Sequence, residues 1–392
     1  MKTRLFTLMA LVLGMASCQR DMANVGSQSG DEVPVTLSVA TPELGITRAG
    51  LDGEDDGVNG HDSAYGAIDY FSDADWDNKA DLRYSLEVYD VTDLTEPIKD
   101  RMVKIVDKYE SVKFELRLIP HREYQFVVFA DFVPEGTADN EVDYNNQANL
   151  GLRHTIGANL TDIKVKEGVD AINDEIADAY FKTFSYEPTD NTQNNINDTE
   201  DVFLQRPYGK VRVVATDLAE LNLNVEPRAV RVAYNAYHAN AFNAVNGEIS
   251  GEYVQEFYDF EYADLYKNVE DGGLAKHVYT EGYDARKADS KTGVKRHTHM
   301  TLFTDYILAE NEQNSINFLM TVYDIRDIEN ATAENIIKTT AFNTDIPVQR
   351  NHLTTIIGNV LTAANEVTVK IDDNFANADN LEDDPFYVEV EL

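Results

Sequence analysis

Hydrophobic positions recur with a period of two along most of this chain. Val33, Val35, Leu37 and Val39 alternate with smaller or polar residues, as in a strand with one buried face. Pro34 lacks an amide donor, which places this segment at a sheet edge or at a strand start. The same alternation predicts strands over residues 82–89, 113–118 and 124–132, the last two joined by a turn at Pro120-His121-Arg122. Residues 124–130 are almost entirely apolar, as expected of a central strand covered on both faces. Further strands are predicted over residues 206–215, 230–237, 276–279, 297–303, 315–323, 336–342, 351–362, 367–371 and 386–392. Residues 168–182 are expected to form a short helix. Segments 49–63, 134–150, 190–201 and 372–384 are rich in Asp, Asn and Gly and read as loops or linkers. Short strands between polar turns predict an all-β chain, in the main, built as β-sandwiches. No repeat of about 20–50 residues recurs, which excludes a solenoid or a propeller.

The first eighteen residues follow a different rule. Lys2 and Arg4 lead into the apolar run 5–13, and Gly14-Met15-Ala16-Ser17-Cys18 follows. A basic start, a short apolar stretch and small residues make a secretory signal. The run is too short to span a bilayer, which takes about 20 residues. Cys18 is the only cysteine, and it stands where a bacterial lipoprotein signal places its acylated residue. The expectation is therefore export, loss of residues 1–17 and attachment to the membrane through lipid on Cys18. Residues 18–48 then comprise a tether and a first strand that can be removed. A domain boundary is placed at the connector 221–227, giving sandwiches over 49–220 and 221–371. Residues 372–392 form an acidic linker and a C-terminal strand.

Charge narrows the partners. The 392 residues carry 33 Lys and Arg against 70 Asp and Glu, a net charge of −37. Such a surface repels phosphate backbones, so no nucleic-acid partner is expected. The hydrophobic fraction of 43% is that of a folded protein rather than of an acidic disordered chain. With Cys18 acylated no thiol remains for a disulfide, so core burial and strand pairing must hold the fold.

The two ends look alike. Val33, Val35, Leu37 and Val39 share one face of the first strand, and Phe386, Val388, Val390 and Leu392 share one face of the last. A terminal strand of this kind completes its own sheet or that of another molecule. Between the first strand and the body stands Ile46-Thr47-Arg48-Ala49-Gly50, an isolated basic residue in a loop of the kind proteases cut. Cleavage between Arg48 and Ala49 would separate strand 33–39 from the body and leave a slot. Without cleavage both ends are ordinary strands.

In these segments the chain resembles the fimbrillins, type V pilus subunits of Bacteroides-type bacteria. The resemblance rests on the lipoprotein start, the strand before Thr47-Arg48-Ala49, the run Arg206-Pro207-Tyr208-Gly209-Lys210-Val211-Arg212-Val213, and the run from Ile346-Pro347-Val348-Gln349-Arg350-Asn351-His352 to Thr362. It implies two tandem transthyretin-like β-sandwich domains with short helical insertions. It also implies an outer-membrane lipoprotein processed by an arginine-specific protease and polymerised with other fimbrial subunits by strand exchange. Carried onto this sequence, Arg48 is the cut site, 33–39 the departing strand and 386–392 the donor. The filament would serve adhesion to a host or bacterial surface ligand. A member that keeps its first strand would remain a non-polymerising surface lipoprotein binding glycan or host protein.

Other constellations are weaker. His297 and His299 share a face if their segment is a strand, and with His277 they make a zinc candidate, but no acidic partner is suitably spaced. Asp52-Gly53-Glu54-Asp55-Asp56-Gly57 has the opening of a calcium loop, yet Ser63 stands where a bidentate Glu is needed. Residues 73–77 fail in the same way, with Tyr84 at the closing position. Trp76, the sole tryptophan, is a candidate sugar platform or a cover for a core edge. No nucleophile elbow, metalloprotease helix or phosphate-binding loop occurs. The expectation is a non-enzyme without cofactor or metal.

Overall fold

The computed structural model describes residues 32–39, 80–106, 111–137, 153–166, 172, 177–191, 194–196, 202, 204–217, 220–221, 225, 227–235, 238–251, 258–261, 300–362, 366–372 and 388–391. Its first half contains strands β1 (Val33–Val39), β2 (Ala80–Asp90), β3 (Met102–Val106), β4 (Val112–Leu118), β5 (Tyr124–Pro134), β6 (His154–Ile156), β7 (Ile163–Val165), β8 (Ala179–Tyr186), β9 (Asn194–Ile196) and β10 (Tyr208–Ala215). The second contains β11 (Ala229–Tyr234), β12 (Ala241–Phe242), β13 (Ile249–Ser250), β14 (Tyr258–Glu261), β15 (Met300–Leu308), β16 (Asn314–Tyr323), β17 (Ile336–Val348), β18 (Leu353–Gly358), β19 (Glu366–Asp372) and β20 (Val388–Glu391). The all-β expectation holds. Short 3-10 turns at Ile328–Asn330 and Ala333–Asn335 interrupt the strands. No helix among the described residues is long and apolar enough to cross a membrane.

Two sandwiches result. In the first, sheet β4-β1-β9 packs against sheet β3-β2-β5-β8. Their shared core includes Val35, Leu37, Val39, Leu82, Leu86, Phe114, Phe126 and Tyr180. In the second, β15-β10-β18-β19-β20 packs against β14-β11-β16-β17 around Val211, Val232, Phe303, Phe318, Phe342 and Ile356. A fifth sheet, β13-β12-β7-β6, unites residues from both halves of the sequence. It covers a third core that holds Phe129 and Phe181 of the first sandwich, Phe242 of the bridging sheet, and Tyr208, Tyr306 and Leu353 of the second.

This third core explains the apolar run at 124–130. Phe126 and Val128 face the first core, while Val127 and Phe129 face the junction, so neither side of β5 meets water. β2 is likewise buried throughout, its odd positions Arg83, Ser85, Glu87 and Tyr89 turning toward the junction.

Several expectations change. The helix expected over 168–182 is not formed at its C-terminal end, where Ala179–Lys182 begins β8 antiparallel to β5. Tyr180 and Phe181 enter different cores, a period of two that a helix cannot satisfy. β1 is not an edge strand, because β4 pairs with it antiparallel on one side and β9 parallel on the other. Pro34 is tolerated because the β9 ladder starts one residue later, at Val35. β10 precedes the connector at 221–227, yet it pairs with β15 and β18 of the second sandwich.

Candidate functional site

The slot occupied by β1 is built from both neighbours. Its ladder with β4 runs from Val33 opposite Leu118 to Val39 opposite Val112, and β9 adds Asn194 to Ile196 beside Val35 to Leu37. Alternation sends Val35, Leu37 and Val39 into the core, where they are 1%, 0% and 0% exposed. Val33 is half-buried, and Pro34, Thr36 and Ser38 form the outer face.

Polar groups secure the entrance of the strand. The Lys99 ammonium lies 2.8 Å from a Glu32 carboxylate oxygen, and Arg117 donates to the Glu32 carbonyl. At the other flank the Asn194 amide donates to Pro34, Thr189 and Asn191 carbonyls, tying the β8–β9 connection to the start of β1. Sequence reading missed Lys99, Arg117 and Asn194. Their role depends on cross-strand register, which no local pattern reveals.

At the opposite end of the chain, β20 is the outermost strand of the five-stranded sheet. It runs antiparallel to β19, with Val388 opposite Val369 and Val390 opposite Val367. Here the C-terminal segment completes its own sheet. Of the expected assembly residues, the structure thus places Val33, Val35, Leu37 and Val39 at the centre of one sheet and Val388 and Val390 at the margin of another. Phe386, Leu392, Cys18, Arg48 and Ala49 lie outside the described residues, as do His277, His297, His299, Trp76 and the acidic loop 52–57. Among the described residues no group of three His, Cys, Asp or Glu is placed to hold a metal.

The two runs centred on Arg206 and Arg350 meet at the junction. The Asn351 backbone N–H donates to the Tyr208 carbonyl at 2.8 Å, and the Lys210 N–H to the His352 carbonyl at 3.0 Å. Arg350 lies against the edge-to-face pair of Phe181 and Phe242 rings and donates to the Ala309 and Gly247 carbonyls. Arg206 pairs with Asp178 at 2.6 Å and lies over the Tyr180 ring. One guanidinium therefore anchors the second sandwich to the bridging hairpin, and the other to the first sandwich.

Beside them runs a buried polar chain. Arg83 grips Asp131 through two hydrogen bonds of 2.8 and 2.6 Å. The His154 ring reaches Asp131 at 3.4 Å on one side and the Tyr208 hydroxyl at 2.5 Å on the other. Burial is the largest influence on Asp131 and opposes its ionisation, but the charge and hydrogen bonds of Arg83 and His154 together outweigh it and hold the carboxyl below its ordinary range. Burial also pulls His154 below the usual imidazole value, against the attraction of Asp131. Asp305 accepts the Tyr234 hydroxyl at 2.6 Å, and burial pushes its pKa up to about 6. Arg83, Asp131, His154 and Tyr208 join strands of three sheets through a neutral imidazole and a paired carboxylate. That arrangement holds a joint.

Comparison with known proteins adds the following. The profile of a family of unknown function (DUF6562) matches residues 27–387. None of the curated proteins matches. Among solved structures, the chain is similar to the tip fimbrial protein Mfa3 of Porphyromonas gingivalis with C-terminal truncation. The identity is 10% and the TM-score 0.40, over 87% of this chain and 98% of that one. It is also similar to a protein provisionally named for cell adhesion from Bacteroides uniformis, at 9% identity and TM-score 0.40, over 87% and 98% of the two chains. A provisionally named adhesin of Bacteroides thetaiotaomicron gives 10% identity and TM-score 0.37, over 92% and 98%. At these values the likenesses decide nothing about what this chain binds.

Proposed function

We propose that this chain, which belongs to a family of unknown function (DUF6562), is a structural subunit of a cell-surface fimbria. In this reading it is exported as a lipoprotein on Cys18, reaches the outer membrane and is cut after Arg48 by an arginine-specific protease. Loss of β1 opens the first sandwich, and the C-terminal strand of another fimbrial subunit fills the slot. The resulting filament supports adhesion to a host or bacterial surface ligand. The role is mechanical rather than enzymatic.

The observation that carries the reading is the position of β1. A removable segment is expected at a sheet edge, where its loss costs least. Here it is flanked on both sides and supplies Val35, Leu37 and Val39 to the core. Each such side chain is worth about 1.5–3 kcal/mol on burial, an upper-bound scale. Two rows of backbone groups on β4 and β9 would also lose their partners, at about 1–3 kcal/mol for each group left buried and unsatisfied. A sandwich missing this strand has a strong thermodynamic demand for a replacement of the same pattern.

N-terminal sequencing of the surface protein tests the reading. A mature chain that begins at Ala49 and runs as a polymer is expected, and Arg48→Ala should retain residues 33–39 and stay monomeric. Surface protein that keeps residues 33–39 while polymerising normally would sink it. A monomer that keeps them would point instead to a surface lipoprotein of another kind.

A further inference from the structure

His154 sits where the three parts of the joint meet. It belongs to β6 of the bridging sheet, faces Asp131 on β5 of the first sandwich and bonds Tyr208 on β10 of the second. Its side chain is 2% exposed, and the Phe129 ring stands edge-on at 5.7 Å. One tautomer serves both neighbours. A proton on Nδ1 points to the carboxylate, and Nε2 accepts the Tyr208 hydroxyl. The Tyr208 oxygen in turn accepts a hydrogen bond from Arg153.

The surroundings do not suit a second proton on this ring. Asp131 is already shared with Arg83 on β2, which holds it through two hydrogen bonds. Arg153, beside the ring and buried, has Nε and Nη1 without a hydrogen-bond partner among the described residues. Its charge reaches Asp305 on β15. On β7, Val165 stands opposite His154, while Lys164 is exposed and turned to Asp162. Two cations therefore face two carboxyl groups while the imidazole is neutral. Protonation adds a third cation. It also makes Nε2 a donor, so the Tyr208 hydroxyl hydrogen loses its acceptor.

We propose that His154 is an acid-sensitive latch of the joint: a proton on Nε2 breaks its bond from Tyr208 and loosens the second sandwich from the first. Burial is the largest influence on the ring and holds it below the ordinary imidazole value of 6.5. Asp131 opposes this shift, and Arg153 and Arg83 add to it. Opening the joint releases the ring to water, where it takes a proton more readily. The latch is closed above pH about 6.5 and weakens as pH falls below it. Arg83 and Asp131 stay on paired strands of one sheet, and Asp305 keeps Tyr234 within the second sandwich. Opening of the joint therefore reports His154, whereas global unfolding also reports Asp305.

The test follows backbone amide exchange in the full-length chain between pH 5 and 8 (about the imidazole range), corrected for the intrinsic rate. The Gln205 and Phe181 N–H groups, each bonded to the other's carbonyl at 3.0 and 2.7 Å, tie β8 to the segment leading into β10. Their protection should fall by up to about tenfold per pH unit below 6.5, while amides of β16 keep theirs. His154→Gln keeps a hydrogen-bonding side chain without a titrating ring and should remove this slope. The wild-type ring supplies a second measurement that needs no variant to fold, since its NMR signal should titrate below 6.5. A His154 ring that titrates at or above that value, or a slope that His154→Gln leaves intact, overturns the latch.

Discussion

The side-chain oxygen of Asn351 accepts the backbone N–H of Arg206 at 3.2 Å, although 145 residues separate them. Asn351 has φ of 60°, a left-handed conformation that asparagine tolerates better than most side chains. That turn directs its own N–H to the Tyr208 carbonyl and its amide oxygen to Arg206. The two runs that stood out in the sequence are therefore two sides of one joint.

The closeness of this joint predicts the cost of a single methyl group. A Cβ on Gly209 would lie 2.6 Å from Val348 Cγ1 and 2.7 Å from the Gln349 carbonyl oxygen. The carbonyl is backbone and cannot rotate away. Gly209→Ala should destabilise the protein by about 1–3 kcal/mol, the usual range for overpacking. Urea denaturation followed by tryptophan-independent far-UV circular dichroism measures it, and an unchanged midpoint would contradict the packing described.

The Arg83–Asp131 pair makes an asymmetric prediction. Both side chains are 0% exposed. Removing only the cation, as in Arg83→Met, leaves a carboxylate in the interior and should cost about 3–5 kcal/mol. Replacing both, as Arg83→Met with Asp131→Leu, should recover much of that loss, because the desolvation of two charges disappears as well. Denaturant midpoints of the two variants and the wild type give the comparison. A double variant less stable than Arg83→Met alone would contradict it.

Asp305 predicts a pH dependence of definite sign. Its folded pKa of about 6 lies above the ordinary 3.8, so the native state holds a proton that the unfolded chain releases. The group's contribution is fully present below pH about 4 and is lost as pH rises through about 6. Its size is about 3 kcal/mol at about 1.36 kcal/mol per pH unit. Asp305→Asn keeps a polar partner for Tyr234 without the charge. It should raise stability at pH 7 and change it little at pH 4, as thermal unfolding at the two values will report.

The slot itself predicts a difference between precursor and processed chain. Leu37 is fully buried between the two sheets. Leu37→Ala should destabilise the uncut protein by about 2–5 kcal/mol, through lost burial and the cavity left behind. A chain beginning at Ala49 lacks this residue, so its stability should be the same whether it came from wild-type or variant precursor. Melting curves of both forms check this pair of outcomes.

The alternation of apolar residues determined the fold class and most of the strands. β1 was legible in full because Val33, Val35, Leu37 and Val39 leave one face apolar, and burial of a single face is a local property of sequence. The run 124–130 likewise announced a strand covered on both sides. The helix expected over 168–182 gave way to strand at its C-terminal end because Tyr180 and Phe181 serve two different cores, and a segment facing two cores carries no one-sided stripe. Only the tertiary structure decided that β1 lies between β4 and β9 and that β10 pairs with strands far downstream. It alone brought Arg206 to Asn351 and set Ser38 against Lys113. Strand order and register arise from which apolar faces meet after collapse, and those meetings join residues whose separation along the chain no local periodicity records.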